Sequence, residues 1–382
     1  MKILQVIQFF SPKHGGSATV AYELTKQLAK NGHEVTVLTT DFELDSCFID
    51  PLNGVEVIPF HCDLNIGGLL ISFSMNKYLK ENISKFDIIH MHNFRTYQNI
   101  IVSIYAKKYK IPYLLQAHGT MLRIINKKGF KYLFDFVFGY PVLKNVSKVI
   151  AVSNEEIDQY LGIGVPKEKI VVIPNGIDID SFYRLPEKGS FRDKMGIRDK
   201  YIVLYLGRLH ERKGISFLIE AYSELLKQKE DVALVLAGPD DGYRDKAELL
   251  IHKFDLKNKV KFTGYIDTFD KLAAYVDCDV LIYPSILEIF GLVPFEAIMC
   301  GNPVIVTDDC GCGEFIKKAN CGCLVKYGDV VDLKNKMKLI LENPEIGSKL
   351  VENGQKYIVN NLTWPLICKN IEILYESCIS KV

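Results

Sequence analysis

The sequence predicts an α/β protein with two domains, each built on a parallel sheet that helices cover. Three observations indicate this fold. The chain has 382 residues, more than one hydrophobic core usually supports, apolar runs alternate with amphipathic stretches, and a charged stretch near the middle interrupts that rhythm. Parallel sheets buried on both faces produce such near-continuous apolar strands. We therefore expect two Rossmann-like domains of similar size.

The expected domains are residues 1–180 and 201–362, joined by a linker at residues 181–200. The linker is polar, charged and without hydrophobic periodicity, as domain boundaries commonly are. A new apolar strand follows it directly. Residues 363–382 form a last segment, and its apolar face from Leu366 to Ile379 predicts a terminal helix.

The first domain begins with a strand at residues 2–8, a helix at 19–30 and a second strand at 34–39. The loop between the first strand and the helix contains Gly15 and Gly16. Glycine has no side chain, so this loop can approach a ligand closely. The pair lacks the full dinucleotide-binding fingerprint, and it can equally form a simple turn.

Two later strands, at residues 87–92 and 113–119, carry histidines near their carboxyl ends. Ligands of open α/β sheets bind at the carboxyl ends of strands, so His118 is expected near a ligand. We expect His90 and His92 to point to opposite faces, with His90 packed and His92 lining the site, an arrangement that disfavours a metal cluster. The remaining strands of this domain are predicted at residues 148–152 and 169–173.

In the second domain, two cations follow the first strand closely. Arg208 and Lys213 lie in the loop after it, where a guanidinium fork and an ammonium suit a diphosphate. Charged loop residues are also commonly plain solvated surface. The strands of this domain are predicted at residues 201–206, 232–237, 260–263, 280–283 and 304–307.

Glu288 and Glu296 flank the start of a predicted helix. Residues 289–291 are expected to form a turn and residues 292–299 the first turns of a buried helix. The free N–H groups of a helix N-terminus attract anions, while the carboxylates accept hydrogen bonds from hydroxyls. A ligand with both a diphosphate and sugar hydroxyls fits this segment. The alternative is one solvated and one ion-paired glutamate.

The segment from Pro284 to Ile305 resembles the Glu-x7-Glu signature of retaining, nucleotide-sugar-dependent glycosyltransferases of family 4. Pro284-Ser285, Phe290-Gly291, Glu296-Ala297 and Cys300 to Ile305 all look like the family pattern, as does Gly-Arg-Leu-x3-Lys-Gly at residues 207–214. The resemblance implies the GT-B architecture, in which two Rossmann-like domains enclose an interdomain cleft and the terminal helix crosses back to the first domain.

The resemblance also implies roles for individual residues. Arg208 and Lys213 hold the donor diphosphate, Glu288 reaches the transferred sugar, Glu296 accepts from the ribose, and His118 lies beside the reacting sugar. The implied catalytic residues are His118, Arg208, Lys213 and Glu288, and the donor-binding residues are Gly15, Gly16, Arg208, Lys213, Glu288, Phe290, Gly291 and Glu296. The donor is expected to be a UDP or GDP sugar, which is a substrate, and no cofactor is expected.

Metal is not expected at the donor, because the cations and the helix N–H groups can supply the positive charge. Asp277-Cys278-Asp279 fits only the letters of a metal-chelating DxD motif, and we interpret it as the polar approach to a strand. Zinc at the Cys-x-Cys pairs is disfavoured, because one intervening residue strains two ligands on one metal, but the sequence does not decide it. Those cysteines are Cys310, Cys312, Cys321 and Cys323.

A basic and aromatic stretch at residues 123–148 is the best indication of an acceptor surface. Its cations are interleaved with aromatic residues, which is typical of a helix at an anionic membrane surface. A helix with aromatics in the core and lysines in water is an equally good interpretation. Lipid-linked acceptors, which the resemblance makes common, favour the membrane. The basic residues expected at this surface are Arg123, Lys127, Lys128 and Lys131.

Composition excludes some classes of protein. A net charge of +1 gives no general attraction to nucleic acid. The N-terminus does not read as a signal peptide and no apolar stretch approaches about 20 residues, so we expect a cytoplasmic protein, at most peripheral to the inner face of the plasma membrane. Its ten cysteines are then expected to be mostly reduced.

The predicted function is sugar transfer from a nucleotide-diphosphate-sugar to a saccharide or lipid-linked acceptor in surface polysaccharide or glycolipid synthesis. Three alternatives remain: a sugar-nucleotide-binding subunit without turnover, another GT-B enzyme such as an epimerase or phosphorylase, and an NAD-dependent dehydrogenase. The dehydrogenase is disfavoured, since its glycine fingerprint with a following acid is missing.

Overall fold

The structure is a computed structural model that describes residues 1–44, 52–122 and 128–381. The chain divides into two compact units, Met1–Gly176 with Leu362–Val382, and Ile177–Asn361. Each unit contains one fully parallel sheet, so the expected pair of Rossmann-like domains is confirmed. The exact domain boundaries drawn from the sequence stay a prediction.

The first unit has a seven-stranded sheet in the order β3-β2-β1-β6-β7-β8-β9, and β4 and β5 form a separate antiparallel hairpin. Its strands are β1 (Lys2–Val6), β2 (Glu34–Thr40), β3 (Val55–Phe60), β4 (Leu64–Ile66), β5 (Leu69–Ile71), β6 (Ile88–His92), β7 (Tyr113–Gln116), β8 (Lys148–Ala151) and β9 (Ile170–Val172).

The helices of this unit cover the sheet with their apolar faces. They are α1 (Gly16–Lys30), α2 (Phe73–Asn82), α3 (Tyr97–Tyr109), α4 (Lys128–Phe134), α5 (Tyr140–Asn145) and α6 (Asn154–Gly162), with a π-helical turn at Asp135–Gly139 between α4 and α5. Helix α1 begins earlier than predicted, because the second glycine of the predicted loop is already helical. Its buried face includes Val20, Leu24 and Leu28, spaced as one stripe of a helix.

The second unit has a six-stranded sheet in the order β12-β11-β10-β13-β14-β15. Its strands are β10 (Tyr201–Leu206), β11 (Val232–Ala237), β12 (Val260–Gly264), β13 (Val280–Tyr283), β14 (Val304–Thr307) and β15 (Cys323–Val325). Its helices are α7 (Ser190–Lys194), α8 (Ile215–Leu226), α9 (Arg244–Lys253), α10 (Thr268–Asp277), α11 (Leu292–Met299), α12 (Gly311–Ala319), α13 (Val330–Glu342) and α14 (Pro344–Asn361).

The last helix, α15 (Trp364–Ile379), packs against the first unit. Its Trp364 ring lies directly on Gly176, where a Cβ atom would come within 2.4 Å of the ring. Only glycine permits that approach. The terminal helix predicted from the apolar face of the last segment is therefore present and begins slightly earlier.

The strand order of each sheet indicates where a ligand can bind. Both orders reverse beside the first strand, between β1 and β6 in one unit and between β10 and β13 in the other. Open parallel sheets bind ligands at the carboxyl ends of the strands at such a switch point. The loop after β10 carries Arg208 and Lys213, and the loop after β13 carries Glu288. The chain thus brings the sequence-predicted donor residues to one edge of the second sheet.

Among the residues that the structure describes, no helix is long and apolar enough to cross a membrane.

Candidate active site

Lys213, Tyr283 and Glu288 form a compact cluster at the switch point of the second sheet. The Lys213 ammonium lies 2.5 Å from Oε2 of Glu288, and the Tyr283 hydroxyl donates to the same oxygen at 2.7 Å. Both charged side chains are largely buried. The cluster connects the first and fourth strands of this unit, which are far apart in sequence.

The electrostatics of Glu288 follow from this cluster. Burial alone raises the pKa of its carboxyl, but the charge of Lys213 and the hydrogen bonds from Lys213, Tyr283 and Ser285 outweigh burial and lower it below the usual value. The carboxylate is therefore ionised at neutral pH. All three contacts fall on Oε2, so within the described part of the chain Oε1 has no hydrogen-bond partner. That oxygen can accept from a ligand hydroxyl.

A tight pair of loops holds the cluster together. Gly214 has φ +66°, and a Cβ there would lie 2.0 Å from the carbonyl oxygen of Pro284. The Ile286 N–H donates to the Arg212 carbonyl at 3.0 Å. Leu287 adopts φ +61°, a left-handed conformation that costs a non-glycine residue about 1 kcal/mol or more. Such strained residues concentrate at functional sites, and this one immediately precedes Glu288.

Glu296 lies on α11 and belongs to a second cluster of the same composition. Both of its carboxylate oxygens are 3.1 Å from the Lys271 ammonium, and the Tyr275 hydroxyl donates to Oε2 at 2.9 Å. Lys271 and Tyr275 come from one face of α10. Each predicted glutamate is thus paired with a lysine and a tyrosine, so the ion-pair alternative describes part of the arrangement.

Arg208 lies apart from both clusters. Its Nη1 is 2.7 Å from Oδ2 of Asp241, and more than half of the arginine side chain is exposed. The Leu209 N–H donates to the Pro239 carbonyl, and the Asp241 N–H donates to the Leu209 carbonyl. These two bonds tie this loop to the one after β11. An exposed ion pair contributes little to stability, so an anionic ligand can displace Asp241 from Arg208.

The remaining predicted donor residues place no polar side chain at the site. The Phe290 side chain is buried, 5.0 Å from the Phe295 ring and 5.1 Å from the Phe315 ring, so it is part of the core. Gly291, with φ +70°, precedes α11 and leaves the helix N-terminus uncovered by a capping side chain. In the first unit, Gly15 and Gly16 begin α1 in the same way, with open space beside both.

The prediction that His90 and His92 point to opposite faces was wrong, although His90 is packed as expected. Their rings are stacked, with centroids 4.4 Å apart, and so they lie on the same face of β6. Residues two apart in a strand share a face, and only adjacent residues alternate. Both histidines are fully buried. His92 contacts His118 instead of solvent, with Nδ1 3.0 Å from Nε2 of His118.

Hydrogen bonds to Glu156 and Tyr160 hold the loop that carries His118. His118 and Gly119 both have positive φ, at 52° and 76°. The Gly119 N–H donates to Oε1 of Glu156 at 2.7 Å, and the Val152 N–H donates to Oε2 at 2.9 Å. Burial raises the pKa of Glu156 to about 7, although these two N–H groups act in the opposite direction. The Ala117 N–H is held by the Tyr160 hydroxyl at 2.9 Å.

The basic and aromatic stretch is helical from Lys128 to Asn145, and its last residue, Lys148, begins β8. Arg123 and Lys127 lie outside the described residues, as does the side chain of Lys128. Lys131 is on α4 and partly exposed. Of the aromatic residues whose side chains are described, only Phe134 is in the core, whereas Phe136 is 75% exposed. The interpretation that places the aromatics inside is therefore wrong for most of them, which are exposed together with aliphatic neighbours: Tyr132, Leu133, Phe136, Val137, Phe138 and Tyr140.

The carboxylates of Asp277 and Asp279 accept hydrogen bonds from backbone N–H groups. Asp277 accepts from the N–H groups of Gly189 and Arg192, which fixes α7 to this unit, and Asp279 accepts from Ile202 at 2.7 Å. These contacts agree with the interpretation of the two acids as the polar approach to a strand.

The four cysteines of the Cys-x-Cys pairs are thiols without disulfides. Burial raises the pKa of Cys312 well above its usual value and that of Cys321 to about 12, so both are protonated. Metals bind thiolates. No set of three or more potential metal ligands is grouped anywhere in the described part of the chain.

Several residues of the site escaped prediction. Lys271, Tyr275 and Asp241 carry no sequence signal, because each is an ordinary residue of a surface helix or loop. Tyr283 could have been found, since it is the last residue of the strand that leads to Glu288. Gln5 could also have been found, as a polar residue inside an otherwise apolar strand.

Comparisons with known proteins agree with this architecture. The family model described as Glycosyltransferase Family 4 matches residues 14–181, and that described as Glycosyl transferases group 1 matches residues 187–357. An uncharacterized glycosyltransferase of Methanocaldococcus jannaschii is 30% identical over 394 residues, 98% of each chain. A phosphatidyl-myo-inositol mannosyltransferase of Mycobacterium leprae is 24% identical over 99% of this chain and 97% of its own.

Solved structures share the fold. The crystal structure of Anabaena HepE in complex with UDP and glucose has a TM-score of 0.82 at 21% identity, over 99% of this chain and all of its own. WaaG, a glycosyltransferase involved in lipopolysaccharide biosynthesis, has a TM-score of 0.73 at 20% identity, over 97% of this chain and 99% of its own.

The fold and the relatives define the class as a GT-B glycosyltransferase. The chain belongs to the glycosyltransferase family that carries the family 4 and group 1 domains.

Proposed function

We propose that the protein transfers a sugar, with retention of configuration, from a nucleotide-diphosphate-sugar donor to a saccharide or lipid-linked acceptor. The second unit binds the donor. The observation that carries the proposal is the Lys213–Glu288–Tyr283 cluster at the switch point of the second sheet, with one glutamate oxygen free to accept from a sugar hydroxyl. The UDP complexes of a structural neighbour support a nucleotide as part of the ligand.

In the proposed reaction, the bond between the anomeric carbon and the diphosphate oxygen breaks, and the nucleoside diphosphate leaves with the electron pair. Lys213, Arg208 and the N–H groups at the start of α11 stabilise the negative charge that develops on the leaving oxygen. The acceptor hydroxyl attacks on the same face, and its proton passes to the departing phosphate. No metal ion is required in this scheme.

Lys213 must change partners for this role. In the structure its charge is matched by Glu288, and a bound diphosphate offers a competing, more highly charged partner. Glu288 then binds the transferred sugar through Oε1, Glu296 accepts from the ribose, and His118 of the first unit acts beside the reacting sugar. UDP or GDP is the proposed nucleotide.

The proposed acceptor surface is the exposed face of residues 131–140, which we call the aromatic patch; it comprises Tyr132, Leu133, Phe136, Val137, Phe138 and Tyr140. Exposed aromatic and aliphatic side chains beside lysines suit the interface of an anionic bilayer. The mannosyltransferase of Mycobacterium leprae is named for a phosphatidylinositol acceptor, which supports a lipid-linked one here. The proposed location is the cytoplasmic face of the plasma membrane.

The test is release of sugar from UDP-, GDP- and ADP-hexoses, with and without extracted lipid or free sugars as acceptor. We expect one donor to be consumed by the wild type, and loss of about a hundredfold or more in kcat for Glu288→Gln and for Arg208→Ala with Lys213→Ala. Lys227→Met, which removes an exposed ion pair with Glu224 in the same unit, is the matched control. Nucleotide binding without consumption of any donor would instead identify a binding subunit.

A further inference from the structure

Five polar side chains of the first unit form one continuous hydrogen-bonded chain. His118 Nε2 lies 3.0 Å from His92 Nδ1, and His92 Nε2 lies 2.6 Å from Oε1 of Gln5. The Gln5 amide donates to the Tyr375 hydroxyl at 3.2 Å, and that hydroxyl lies 2.7 Å from His90 Nδ1. The members come from β1, β6, the loop after β7, and α15.

Four members of this chain are fully buried, His118 is partly exposed, and the imidazoles are neutral. Gln5, His90, His92 and Tyr375 are 0% exposed. Burial lowers the pKa of His90 and of His118 to about 3, and that of His92 well below its ordinary value. A neutral imidazole has one N–H donor and one acceptor nitrogen. A ring that donates from one nitrogen can therefore only accept at the other.

The direction of donation follows from Gln5. Its Oε1 can only accept, so His92 carries its proton on Nε2 and accepts at Nδ1. His118 must then donate from Nε2 to His92. This leaves His118 Nδ1 without a proton. At the other end, the Tyr375 hydroxyl accepts from the Gln5 amide and is also hydrogen-bonded to His90 Nδ1.

We propose that Gln5, acting through His92, fixes the tautomer and the orientation of His118, so that His118 presents an unprotonated Nδ1 to a hydroxyl of the bound sugar. Gln5 and His92 are positioning residues, since neither touches substrate. The proposal rests on the function proposed above, in which His118 acts beside the reacting sugar. Toward the sugar, His118 is then a hydrogen-bond acceptor and not a proton donor.

Two substitutions of His92 separate positioning from simple packing. In His92→Asn the amide oxygen takes the place of Nδ1 and still accepts from His118, whereas His92→Leu fills similar space without an acceptor. We expect His92→Leu to lower kcat about a hundredfold, the effect of a misplaced reacting group, with little change in donor KM. His92→Asn should recover most of that loss. His33→Leu, which removes a histidine bonded to Glu372 in the same unit, is the control for general destabilisation.

A direct measurement determines the tautomer of His118 in the wild-type protein itself. The wild-type protein contains eight histidines. In the wild type labelled with ¹⁵N at histidine, the His118 resonances, assigned by their absence in His118→Ala, should show a proton on Nε2 and none on Nδ1. A proton on Nδ1 overturns the inference, and so does a wild-type kcat in His92→Leu while His118→Ala is inactive.

Failure of the proposed function gives a different result. If His118→Ala transfers sugar at the wild-type rate, the role assigned to His118 is wrong and the positioning inference is wrong with it. If no donor is consumed at all, the function fails, while the tautomer measurement still reports on Gln5 and His92.

Discussion

At the scale of single residues, the site is built from charges that neutralise one another. Lys213 with Glu288 and Lys271 with Glu296 are two partly buried ion pairs, each completed by a tyrosine hydroxyl. A pair of this kind is a weak source of stability when intact, because both ions lose their hydration. Breaking one is costly, since the remaining charge stays buried. The Lys213–Glu288 pair lies after two neighbouring strands, where we propose that the donor binds.

Replacing Lys213 by Met should destabilise the second unit in a pH-dependent way. In the wild type the pKa of Glu288 is lowered, so the stability it contributes is present above its ordinary value of 4.5 and is lost as the pH falls through the folded value. Without Lys213, burial raises this pKa. The variant should lose about 3 kcal/mol of unfolding free energy at pH 7, and the deficit should shrink toward pH 4.5.

Urea unfolding followed by circular dichroism at pH 7 and pH 5 measures this effect. The control is Lys213→Met combined with Glu288→Gln, which removes both charges and should recover much of the stability. Equal stability of Lys213→Met and the wild type at pH 7 contradicts the proposed electrostatics.

At the scale of elements, the approach of two loops brings Lys213 to Glu288. The loop after β10 can lie on the loop after β13 only because Gly214 has no side chain. This contact, and not either loop by itself, creates the cluster. The proposed donor site therefore depends on two strands, β10 and β13, that are neighbours in the sheet and distant in sequence.

Gly214→Ala should separate the two loops. Its Cβ would lie 2.0 Å from the Pro284 carbonyl oxygen, in addition to the strain of a left-handed backbone. Gly264→Ala is the matched control, with φ +69° and open space around its Cβ. We expect roughly 1 kcal/mol of destabilisation from the control. Gly214→Ala should lose about 3 kcal/mol or more, and donor turnover with it. Similar losses for both variants, measured by urea unfolding, would show that the loop contact is not important.

Sequence reasoning succeeded where an element has its own local pattern. Strands β10, β11, β13 and β14 have the predicted bounds, since each is a mostly apolar run bounded by charged residues, glycine or proline. Helix α1 begins earlier than predicted because a glycine can occupy a first helical turn, although it has low propensity inside a helix. Once the end of a strand is predicted, the side chains that follow its carboxyl end are known as well.

Sequence reasoning did not predict which side chains contact each other. Lys213 and Glu288 were both proposed for the site, but their direct contact depends on the order of strands in the sheet. Lys271 has no local signal, because a lysine on an amphipathic helix is usually solvated. The hydrogen-bonded chain from His118 to Tyr375 joins the start of the protein to its last helix, which no short-range pattern can encode.

At the scale of the whole molecule, the aromatic patch and the net charge of +1 are to be considered together. With so small a net charge, general electrostatic attraction to an anionic membrane is weak. Binding must come from the patch and its neighbouring lysines. The proposed location at a membrane is therefore a property of one surface of the first unit.

Removing exposed apolar side chains from the patch should weaken binding to vesicles. We expect Leu133→Ser with Phe136→Ser to reduce co-sedimentation with vesicles of phosphatidylglycerol, as should loss of charge at Lys127, Lys128 and Lys131. Phe269→Ser is the control, because Phe269 is a similarly exposed aromatic residue in the second unit. Unchanged sedimentation of all patch variants means that this surface does not bind membranes.

The central claim is that the two Lys–Glu–Tyr clusters of the second unit bind a nucleoside diphosphate sugar. Isothermal titration of the wild type, Glu296→Gln and Lys227→Met with UDP, GDP and ADP tests it most directly. We predict that one nucleotide binds the wild type and Lys227→Met equally, and binds Glu296→Gln about tenfold more weakly, a loss of about 1.4 kcal/mol. Equal affinity of Glu296→Gln and the wild type, or no binding of any nucleotide, would contradict the account.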